Sequence, residues 1–327
     1  MRARQVNPIP SSAMATESAD DLSSVVDCSV VVVTYNSARY ISELLDSLPE
    51  ATKGHSFRTI VVDNGSRDGT PELVRAESGV TCIETGANLG YAGGINVGRR
   101  NSGRCRAVLI LNPDLRLEPG TIDRLFAALD TPGVGVAATR IEEMDRRLVP
   151  SQRRDPTLLR AMGDAVLGGS WPGRPTWLGE IVQEPGAYEV TTPVEWAAGA
   201  AMLVSAACDE AVGDWDEDFF MYSEEVDFAL RARSAGYRMV YVPDAVVVHE
   251  GGGSGRNSEL SALLALNRVR LYAKYHGRIA TAVYRLAIAF HELSRLSAPR
   301  RYGARVVLGL TPPPRFPGAA PIVAVRW

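Results

Sequence analysis

The sequence is poor in cysteine and has no long apolar segment. Its four cysteines share no C-x-x-C or Cys/His spacing, which disfavours a zinc site or a disulfide framework and predicts four reduced thiols: Cys28, Cys82, Cys105 and Cys208. No uncharged run approaches the ~20 residues that a membrane-spanning helix requires. We therefore expect a cytoplasmic protein, with a peripheral position on the inner face of the membrane left open.

Charge is distributed unevenly along the chain. The formal net charge is -3, yet residues 256–327 carry 12 Arg and Lys against 2 Asp and Glu. The acidic remainder would oppose binding to nucleic acid, so no nucleic-acid partner is expected. Residues 258–302 read as basic helices. Such helices fit an anionic membrane surface, and they fit equally well a helical layer packed on the domain with its basic face in solvent.

The first part of the chain lacks periodicity. Residues 1–27 are rich in Ser, Ala, Asp and Pro and are expected to form a disordered leader. From residue 28 to residue 256, apolar strands alternate with helical patterns, and residues 257–327 form a basic helical extension. This alternation predicts an α/β fold with a Rossmann-like, mostly parallel central sheet flanked by helices.

Polar residues follow the predicted strands. Strands are expected at 28–33, 57–62, 80–84 and 108–111, with helices at 38–48, capped by Ser37, and from the N-cap Thr70 onward. Asp63, Asn88 and Asp114 then fall at the carboxyl edge of a parallel sheet, where α/β proteins bind ligands. No G-x-G-x-x-G follows the first strand, which disfavours a dinucleotide oxidoreductase.

The segment Leu111–Asn112–Pro113–Asp114 ends a buried strand on a carboxylate. At that position Asp114 can reach a divalent cation without entering the core. An ordinary turn is the competing interpretation, because Asn, Pro and Asp are all turn residues.

Residues 146–194 are irregular and rich in proline, and Trp171 and Trp177 favour a loop that closes on a ligand. Arg153 and Arg154 either meet an anion there or form a solvated charge pair. A glycine-rich segment at 250–256 is expected to be a mobile loop.

Carboxylates are dense between residues 214 and 227. A helix is predicted from the N-cap Ser223, with Glu224, Glu225 and Asp227 in its first turn. Four neighbouring aromatic residues would shield these acids from water: Phe219, Phe220, Tyr222 and Phe228. A shielded carboxylate has a raised pKa and can act as a general base.

Taken together, the motifs resemble the family 2 inverting glycosyltransferases of the GT-A fold, and among them the rhamnosyltransferase-like members. The motifs that carry this resemblance are Val-Val-Thr-Tyr-Asn (32–36), Val-Asp-Asn-Gly-Ser-x-Asp-Gly-Thr (62–70), Asn-Leu-Gly-Tyr-Ala-x-Gly-x-Asn (88–96), Leu-Asn-Pro-Asp (111–114), Phe-Phe-Met-Tyr-x-Glu-Glu-Val-Asp-Phe (219–228) and Val-His (248–249).

The resemblance implies roles for individual residues. The nucleotide-binding set would be Thr34, Tyr35, Asn36, Asp63, Asn88, Gly90 and Asn112. Asp114 would hold a divalent cation, Mg²⁺ or Mn²⁺, with His249 as a further ligand. Glu225 would be the base, with Glu224 and Asp227 as alternatives. The chain departs from the family pattern by carrying Glu where the family's Glu-Asp motif has Asp.

The function implied is metal-dependent, inverting transfer of a sugar from a nucleotide donor to a saccharide. L-rhamnose from dTDP-rhamnose is the first choice, and a polyprenyl-diphosphate-linked acceptor in cell-wall or polysaccharide assembly fits the basic helices. Residues 28–120 would form the nucleotide-binding half and residues 121–256 the acceptor half. A UDP- or GDP-linked donor, a non-catalytic sugar- or lipid-binding relative and a homodimer remain open.

Overall fold

The computed structural model describes residues 25–167, 175–250, 257–294 and 297–322. Most of the predicted leader, Trp171 and residues 251–256 of the predicted mobile loop lie outside these ranges. The strands are β1 (Val26–Thr34), β2 (Phe57–Asp63), β3 (Val80–Glu84), β4 (Cys105–Leu111), β5 (Leu115–Leu117), β6 (Val134–Glu143), β7 (Gln152–Arg153), β8 (Thr192–Val194), β9 (Trp196–Ala197), β10 (Ala201–Ser205) and β11 (Arg238–His249).

The α-helices are α1 (Ile41–Ala51), α2 (Thr70–Ala76), α3 (Gly90–Arg100), α4 (Thr121–Leu129), α5 (Leu158–Leu167), α6 (Ala206–Val212), α7 (Glu224–Ser234), α8 (Ser258–Tyr275), α9 (Arg278–Ser294) and α10 (Ala298–Val307). Short 3₁₀ helices cover Thr176–Leu178, Pro185–Tyr188 and Glu217–Phe219. Each of the four cysteines is a free thiol, buried or partly buried.

A single mixed sheet forms the centre of the domain. Its strand order is β3-β2-β1-β4-β10-β6-β11-β5, and β8 pairs with β11. β1, β2, β3, β4, β6 and β11 point the same way, whereas β5, β8 and β10 run in the opposite direction. The predicted α/β architecture with a mostly parallel sheet is therefore confirmed.

Apolar layers cover both faces of this sheet. In β1, Val30 and Val32 face the layer that contains α1 and α4, while Val31 and Val33 face the layer that contains α3, α6 and α7. Successive side chains of a strand point to opposite faces, so an uninterrupted aliphatic run fills both layers. The predicted strand at 108–111 is likewise buried along its whole length.

Two predicted helix caps are wrong. α1 begins at Ile41 with Tyr40 as its N-cap, because Ser37 is held in the preceding turn: its N–H donates to Thr70 Oγ1 (2.8 Å) and its Oγ accepts from the N–H of Tyr35 (3.3 Å). α2 is capped by Gly69, at φ +87°, and begins at Thr70. In both cases contacts between loops replaced the local capping pattern.

The glycine-rich segment after Asn88 forms α3, a helix that the sequence did not predict. The glycines allow the helix to approach the sheet closely: a Cβ at Gly94 would lie 2.5 Å from Val33 Cγ1, and one at Gly98 would lie 2.2 Å from Val31 Cγ1. Tertiary packing on β1 thus stabilises a helix of low intrinsic propensity.

The C-terminal helices form a layer with α5, and the predicted helical extension is confirmed for the described residues. One cluster joins residues of α5, α8, α9 and α10, among them Ala161, Val269, Tyr284 and Val307. In the described part of the chain, no helix combines the length and apolarity needed to cross a bilayer.

Candidate active site

The first loops at the sheet edge are organised by Asp63. Its Oδ1 accepts hydrogen bonds from Thr34 Oγ1 (3.0 Å) and Ser66 Oγ (2.5 Å), and its Oδ2 accepts from the N–H groups of Gly65 (3.0 Å) and Ser66 (2.8 Å). Four donors fill the acceptor positions of one carboxylate. Thr34 and Asp63 are also 0% and 1% exposed. In this structure Thr34 and Asp63 hold the loops at the sheet edge in place, and other residues form the surface of that edge.

Tyr35 and Asn36 supply part of that surface. Tyr35 is 38% exposed, and Asn36 has a positive φ of 53°. The N–H of Asn36 donates to Ser66 Oγ (2.8 Å), and its Oδ1 accepts from the N–H of Arg67 (2.9 Å). These bonds join the loops after β1 and β2 into one rim.

Asn88 and Gly90 lie at the next loop of the same edge. Asn88 Oδ1 accepts from the N–H of Gly90 (3.0 Å), and the N–H of Asn88 donates to the carbonyl of Gly318, in the C-terminal segment (3.1 Å). Gly90 has φ +76°, and a Cβ there would lie 2.3 Å from the carbonyl oxygen of Phe220. Contact with another loop of the protein accounts for the glycine at this position.

Antiparallel pairing brings Asp114 and His249 together. β5 pairs with β11 so that Leu115 lies opposite His249, and the N–H of Glu250 donates to the carbonyl of Asp114 (3.1 Å). Asp114 Oδ2 lies 3.1 Å from His249 Nε2. This hydrogen bond raises the pKa of His249. On the β4 side, the N–H of Asn112 donates to the carbonyl of Ala200 (2.8 Å).

The other carboxylate oxygen of Asp114 is suited to a cation. Asp114 Oδ1 is buried and has no hydrogen-bond partner among the described residues. A divalent cation would satisfy this oxygen, and the histidine beside it is a second donor atom. Across the described ranges, no three His, Cys, Asp or Glu side chains form a cluster able to hold a metal. Any cation here would take its remaining ligands from a bound molecule or from water.

A strained turn precedes the carboxylate helix. Phe220 adopts φ 64° and ψ -61°, and the N–H of Met221 donates to the carbonyl of Phe219 (2.7 Å), which defines a γ-turn of the rare positive-φ type. Tyr222 and Ser223 also have positive φ, at 69° and 76°. Ser223 is the predicted N-cap of α7, but its side chain makes no capping bond.

Glu224 and Glu225 begin α7, where Glu224 is buried and Glu225 is partly buried. Burial raises the pKa of both carboxyl groups. The charge of Glu225 raises the pKa of Glu224 further, whereas the positive charge of Arg153 opposes the increase at Glu225. The surroundings of the two carboxyl groups therefore differ: the charge of Arg153 acts on Glu225, and the charge of Glu225 acts on Glu224.

Glu225 lies on the wall of a cleft of about 310 Å³ between the sheet domain and the C-terminal helices. The cleft is lined by Arg153, Trp196 and Glu225 on one side and by residues of the helical layer on the other, including Leu264, Arg268 and Arg300. Trp177, which was expected to close on a ligand, is 57% exposed, and Trp196 is the tryptophan that lines the cleft.

Arg153 is a cleft residue whose setting the sequence did not resolve. It is partly buried, and burial lowers its pKa. Its guanidinium donates to the carbonyls of Pro150 and Gln152, and no described carboxylate lies within 4.0 Å of it. Arg154 instead pairs with Glu184 (2.9 Å). Of the two interpretations left open by the sequence, the solvated charge pair does not hold for Arg153, which lines the cleft.

Asp227 has a structural setting. Its carboxylate, 0% exposed, accepts from Arg231 Nε (2.7 Å), Lys274 Nζ (2.6 Å) and Tyr275 hydroxyl (2.7 Å). Burial raises the pKa of Asp227, but these three donors outweigh that effect and lower it. A carboxylate held by two cations is a poor base. These contacts join α7 to α8 through Asp227.

The pKa of the Tyr91 hydroxyl depends on several separate carboxylates. Burial raises the pKa of its hydroxyl well above the usual value, and the charges of Glu224, Glu225 and Asp114 add to this effect. The hydroxyl donates to the carbonyl of Gly199 (3.3 Å), where a Cβ would lie 3.2 Å from Glu225 Cβ. The pKa of one hydroxyl group therefore responds to charges that are distant in sequence.

Asn267 is another residue that sequence reasoning missed. It is 0% exposed in the middle of α8, and its Nδ2 donates to the carbonyls of Phe219 (2.6 Å) and Met221 (2.8 Å). The sequence signal that could have found Asn267 is an amide side chain at an otherwise apolar position of an amphipathic helix. Phe316 of the C-terminal segment stacks on Phe220 with ring centroids 5.1 Å apart, and no local pattern predicted that contact.

The fold is that of the GT-A glycosyltransferases. The mannosyltransferase PcManGT from Pyrobaculum calidifontis, solved with GDP-Man and Mn²⁺, aligns with TM-score 0.53 and 21% identity over 88% of this chain and 76% of that one. GalNAc-T7, solved with UDP, GalNAc and Mn²⁺, aligns with TM-score 0.60 and 13% identity over 83% and 52%. At these identities the likeness concerns the fold.

The chain belongs to glycosyl transferase family 2. The family model described as Glycosyl transferase family 2 matches residues 29–176. The N-acetylglucosaminyl-diphospho-decaprenol L-rhamnosyltransferase of Mycobacterium tuberculosis is 36% identical over 248 residues, which cover 72% of this chain and 80% of that protein. The low-salt glycan biosynthesis hexosyltransferase Agl10 of Haloferax volcanii is 29% identical over 213 residues, 63% of this chain and 62% of that protein.

The ion pairs of Asp227 generate a stability prediction. Asp227→Asn should lower the free energy of unfolding by about 3 kcal/mol, because Arg231 and Lys274 lose a buried counter-charge. The folded-state pKa of Asp227 lies below its unfolded value, so the contribution is present above about pH 4 and is lost as the pH falls further. Urea unfolding at neutral and acidic pH measures both effects. Asp216→Asn, which removes a more exposed partner of Lys274, is the control with a small expected effect.

Proposed function

We propose that this chain is a metal-dependent, inverting rhamnosyltransferase. It transfers L-rhamnose from dTDP-L-rhamnose to a saccharide carried on a polyprenyl diphosphate, in cell-wall or polysaccharide assembly. The observation that carries the proposal is the partly buried Glu225 on the wall of a cleft that Arg153 and Trp196 also line. The extensive similarity to the mycobacterial rhamnosyltransferase supports the choice of donor and acceptor.

In this proposal, residues 28–120 bind the donor. Tyr35 and Asn36 contact the nucleoside at the exposed rim, and Thr34 and Asp63 hold the loops that form it. Asp114 Oδ1 and His249 Nε2 would hold Mg²⁺ or Mn²⁺, and the donor diphosphate would complete the coordination, as is common for cations that bridge phosphates. The bound cation supplies Lewis-acid stabilisation of the departing nucleoside diphosphate.

Glu225 serves as the base in a single displacement. It accepts the proton of the acceptor hydroxyl as the hydroxyl oxygen bonds to the anomeric carbon, while the bond from that carbon to the diphosphate oxygen breaks and its electron pair leaves with the nucleoside diphosphate. Attack opposite the leaving group inverts the anomeric configuration. Burial and the charge of Glu225 both raise the pKa of Glu224, so in this proposal Glu224 stays protonated and uncharged beside the base.

The acceptor occupies the cleft between residues 121–256 and the C-terminal extension. Trp196 and Arg153 lie together on the cleft wall, with the guanidinium carbon 5.9 Å from the centroid of the Trp196 ring. Arg153 is available for an anionic group because its hydrogen-bond partners among the described residues are carbonyls. Arg268 and Arg300 also line the cleft but are paired with Glu180 and Glu292. Arg153 is therefore the residue assigned to the acceptor diphosphate. The basic helices of the extension would lie at an anionic membrane that carries the acceptor.

Replacement of the base provides the main test. Glu225→Gln should lower kcat by about 10²–10⁴-fold, because the amide cannot accept the proton. In the wild type, kcat should rise with pH through a pKa above the ordinary glutamate value, since burial raises the pKa of Glu225 and only its ionised form is active. The measurement is the release of nucleoside diphosphate with a saccharide acceptor, across pH.

Two variants serve as controls for this test. Glu224→Gln should retain most of the activity, because its carboxyl group is expected to remain protonated. Glu225→Asp should retain part of it, because a carboxylate is still present. Wild-type turnover in Glu225→Gln, or equal losses in Glu224→Gln and Glu225→Gln, would contradict the assignment.

The cation site generates a separate prediction. Asp114→Asn should weaken binding of Mn²⁺ in the presence of nucleoside diphosphate by about tenfold or more and should lower metal-dependent turnover, since an amide oxygen is a weaker ligand than a carboxylate. Isothermal titration calorimetry measures the first effect without catalysis. Glu43→Gln, an exposed acid in the small hollow beside Asp114, is the matched control. Unchanged Mn²⁺ affinity in Asp114→Asn would remove Asp114 from the site.

A further inference from the structure

An apolar stripe runs along the outer face of α9. Its five residues recur at helical spacing and are 43–85% exposed: Ile279, Val283, Leu286, Phe290 and Leu293. Intervals of four, three, four and three residues place these side chains on one face of a helix. The opposite face of α9 packs into the helical layer through Tyr284 and Ile288. The helix is therefore apolar on both its inner and its outer side.

α5 extends this surface. Leu159, Met162 and Val166 are 53%, 49% and 70% exposed and recur at intervals of three and four residues. Between α5 and α9 lies a shallow groove of about 250 Å³, lined wholly by apolar residues such as Met162, Val166 and Leu286. We call these eight exposed residues of α5 and α9 the apolar face. A contiguous apolar surface of this kind indicates a binding partner.

The charges around the apolar face are of one sign. α5, α9 and α10 carry two carboxylates, Asp164 and Glu292, and both are buried. Arg278 at the start of α9 and Arg301 and Arg305 of α10 are exposed. α10 packs against α9, and these helices expose arginines and no carboxylate, which together with the apolar stripe complements an anionic lipid surface. A second copy of the same face would add like charges across the contact.

The apolar face also lies behind the cleft that holds Glu225. Asp164 of α5 and His291 of α9 line that cleft, so the same two helices form its inner wall and the exposed apolar surface. A lipid-linked molecule lying in a bilayer beneath the apolar face would approach the cleft from the side of these helices.

We propose that the apolar face of α5 and α9 inserts into the interface of an anionic bilayer, with the arginines of α9 and α10 at the level of the lipid headgroups. Membrane insertion itself does not depend on the proposed function. Its purpose, to bring the cleft to a lipid-linked acceptor, rests on that function. The partner is the lipid surface itself.

The test is co-sedimentation of the full chain with vesicles of phosphatidylglycerol and phosphatidylcholine. The wild type should bind these vesicles, and its binding should weaken with salt and on pure phosphatidylcholine. A Leu286→Glu/Phe290→Glu double variant should partition about tenfold or more weakly, because two apolar anchors are replaced by charges that anionic lipid repels. Phe57→Glu/Leu73→Glu makes the same replacements at exposed positions away from the apolar face and should bind like the wild type.

Several results would overturn the proposal. The first is a wild type that does not bind anionic vesicles, and the second is equal binding of the two double variants to them. The third is a wild type that is a dimer in sedimentation velocity while the Leu286→Glu/Phe290→Glu variant is a monomer. Transfer to a water-soluble saccharide acceptor should be the same in that variant and in the wild type. Vesicle binding is measured without nucleotide sugar, so a chain that binds vesicles but transfers no rhamnose would contradict the proposed function alone.

Discussion

The site depends on a strained turn at Phe220. A non-glycine residue in the positive-φ region costs about 1–3 kcal/mol, and here three such residues precede α7 within four positions. The surrounding protein holds them there: the N–H of Tyr91 donates to the carbonyl of Phe220 (2.6 Å), and Asn267 donates to the carbonyls on either side. The close approach of Gly90 and the stacked ring of Phe316 complete the restraint. The turn sets the direction in which α7 begins, and hence where Glu225 points.

The same contacts make the C-terminal helices part of the site. α8 supplies Asn267 to the strained turn before α7 and Lys274 to Asp227 in the first turn of α7, so the extension holds both the turn and the start of the helix. The cleft lies between these elements, and its walls come from both sides. Burial of Glu224 and Glu225 is a cost that a stable fold would ordinarily avoid. Strain and desolvation that coincide at one place are typical of a functional site.

Much of the carboxyl edge of the sheet was predictable, because the sequence signals for it are local. The strand at 80–84 has the predicted bounds, and the acid that follows the buried run at 108–111 lies beside His249, as the family pattern implied. The features that were missed depend on partners distant in sequence. α3 forms because its glycines fit β1, Asp227 is held by Lys274 of another helix, and the γ-turn has no sequence signature of its own.

The central claim is that a cation at Asp114 and the base Glu225 act on one sugar. A crystal structure with Mn²⁺ and a non-hydrolysable dTDP-rhamnose analogue, with Mn²⁺ located by anomalous scattering, tests it most directly. The account predicts an anomalous peak bonded to Asp114 Oδ1 and to the donor diphosphate, with the anomeric carbon facing the cleft and Glu225. A peak at other ligands, or an anomeric carbon turned away from Glu225, would contradict it.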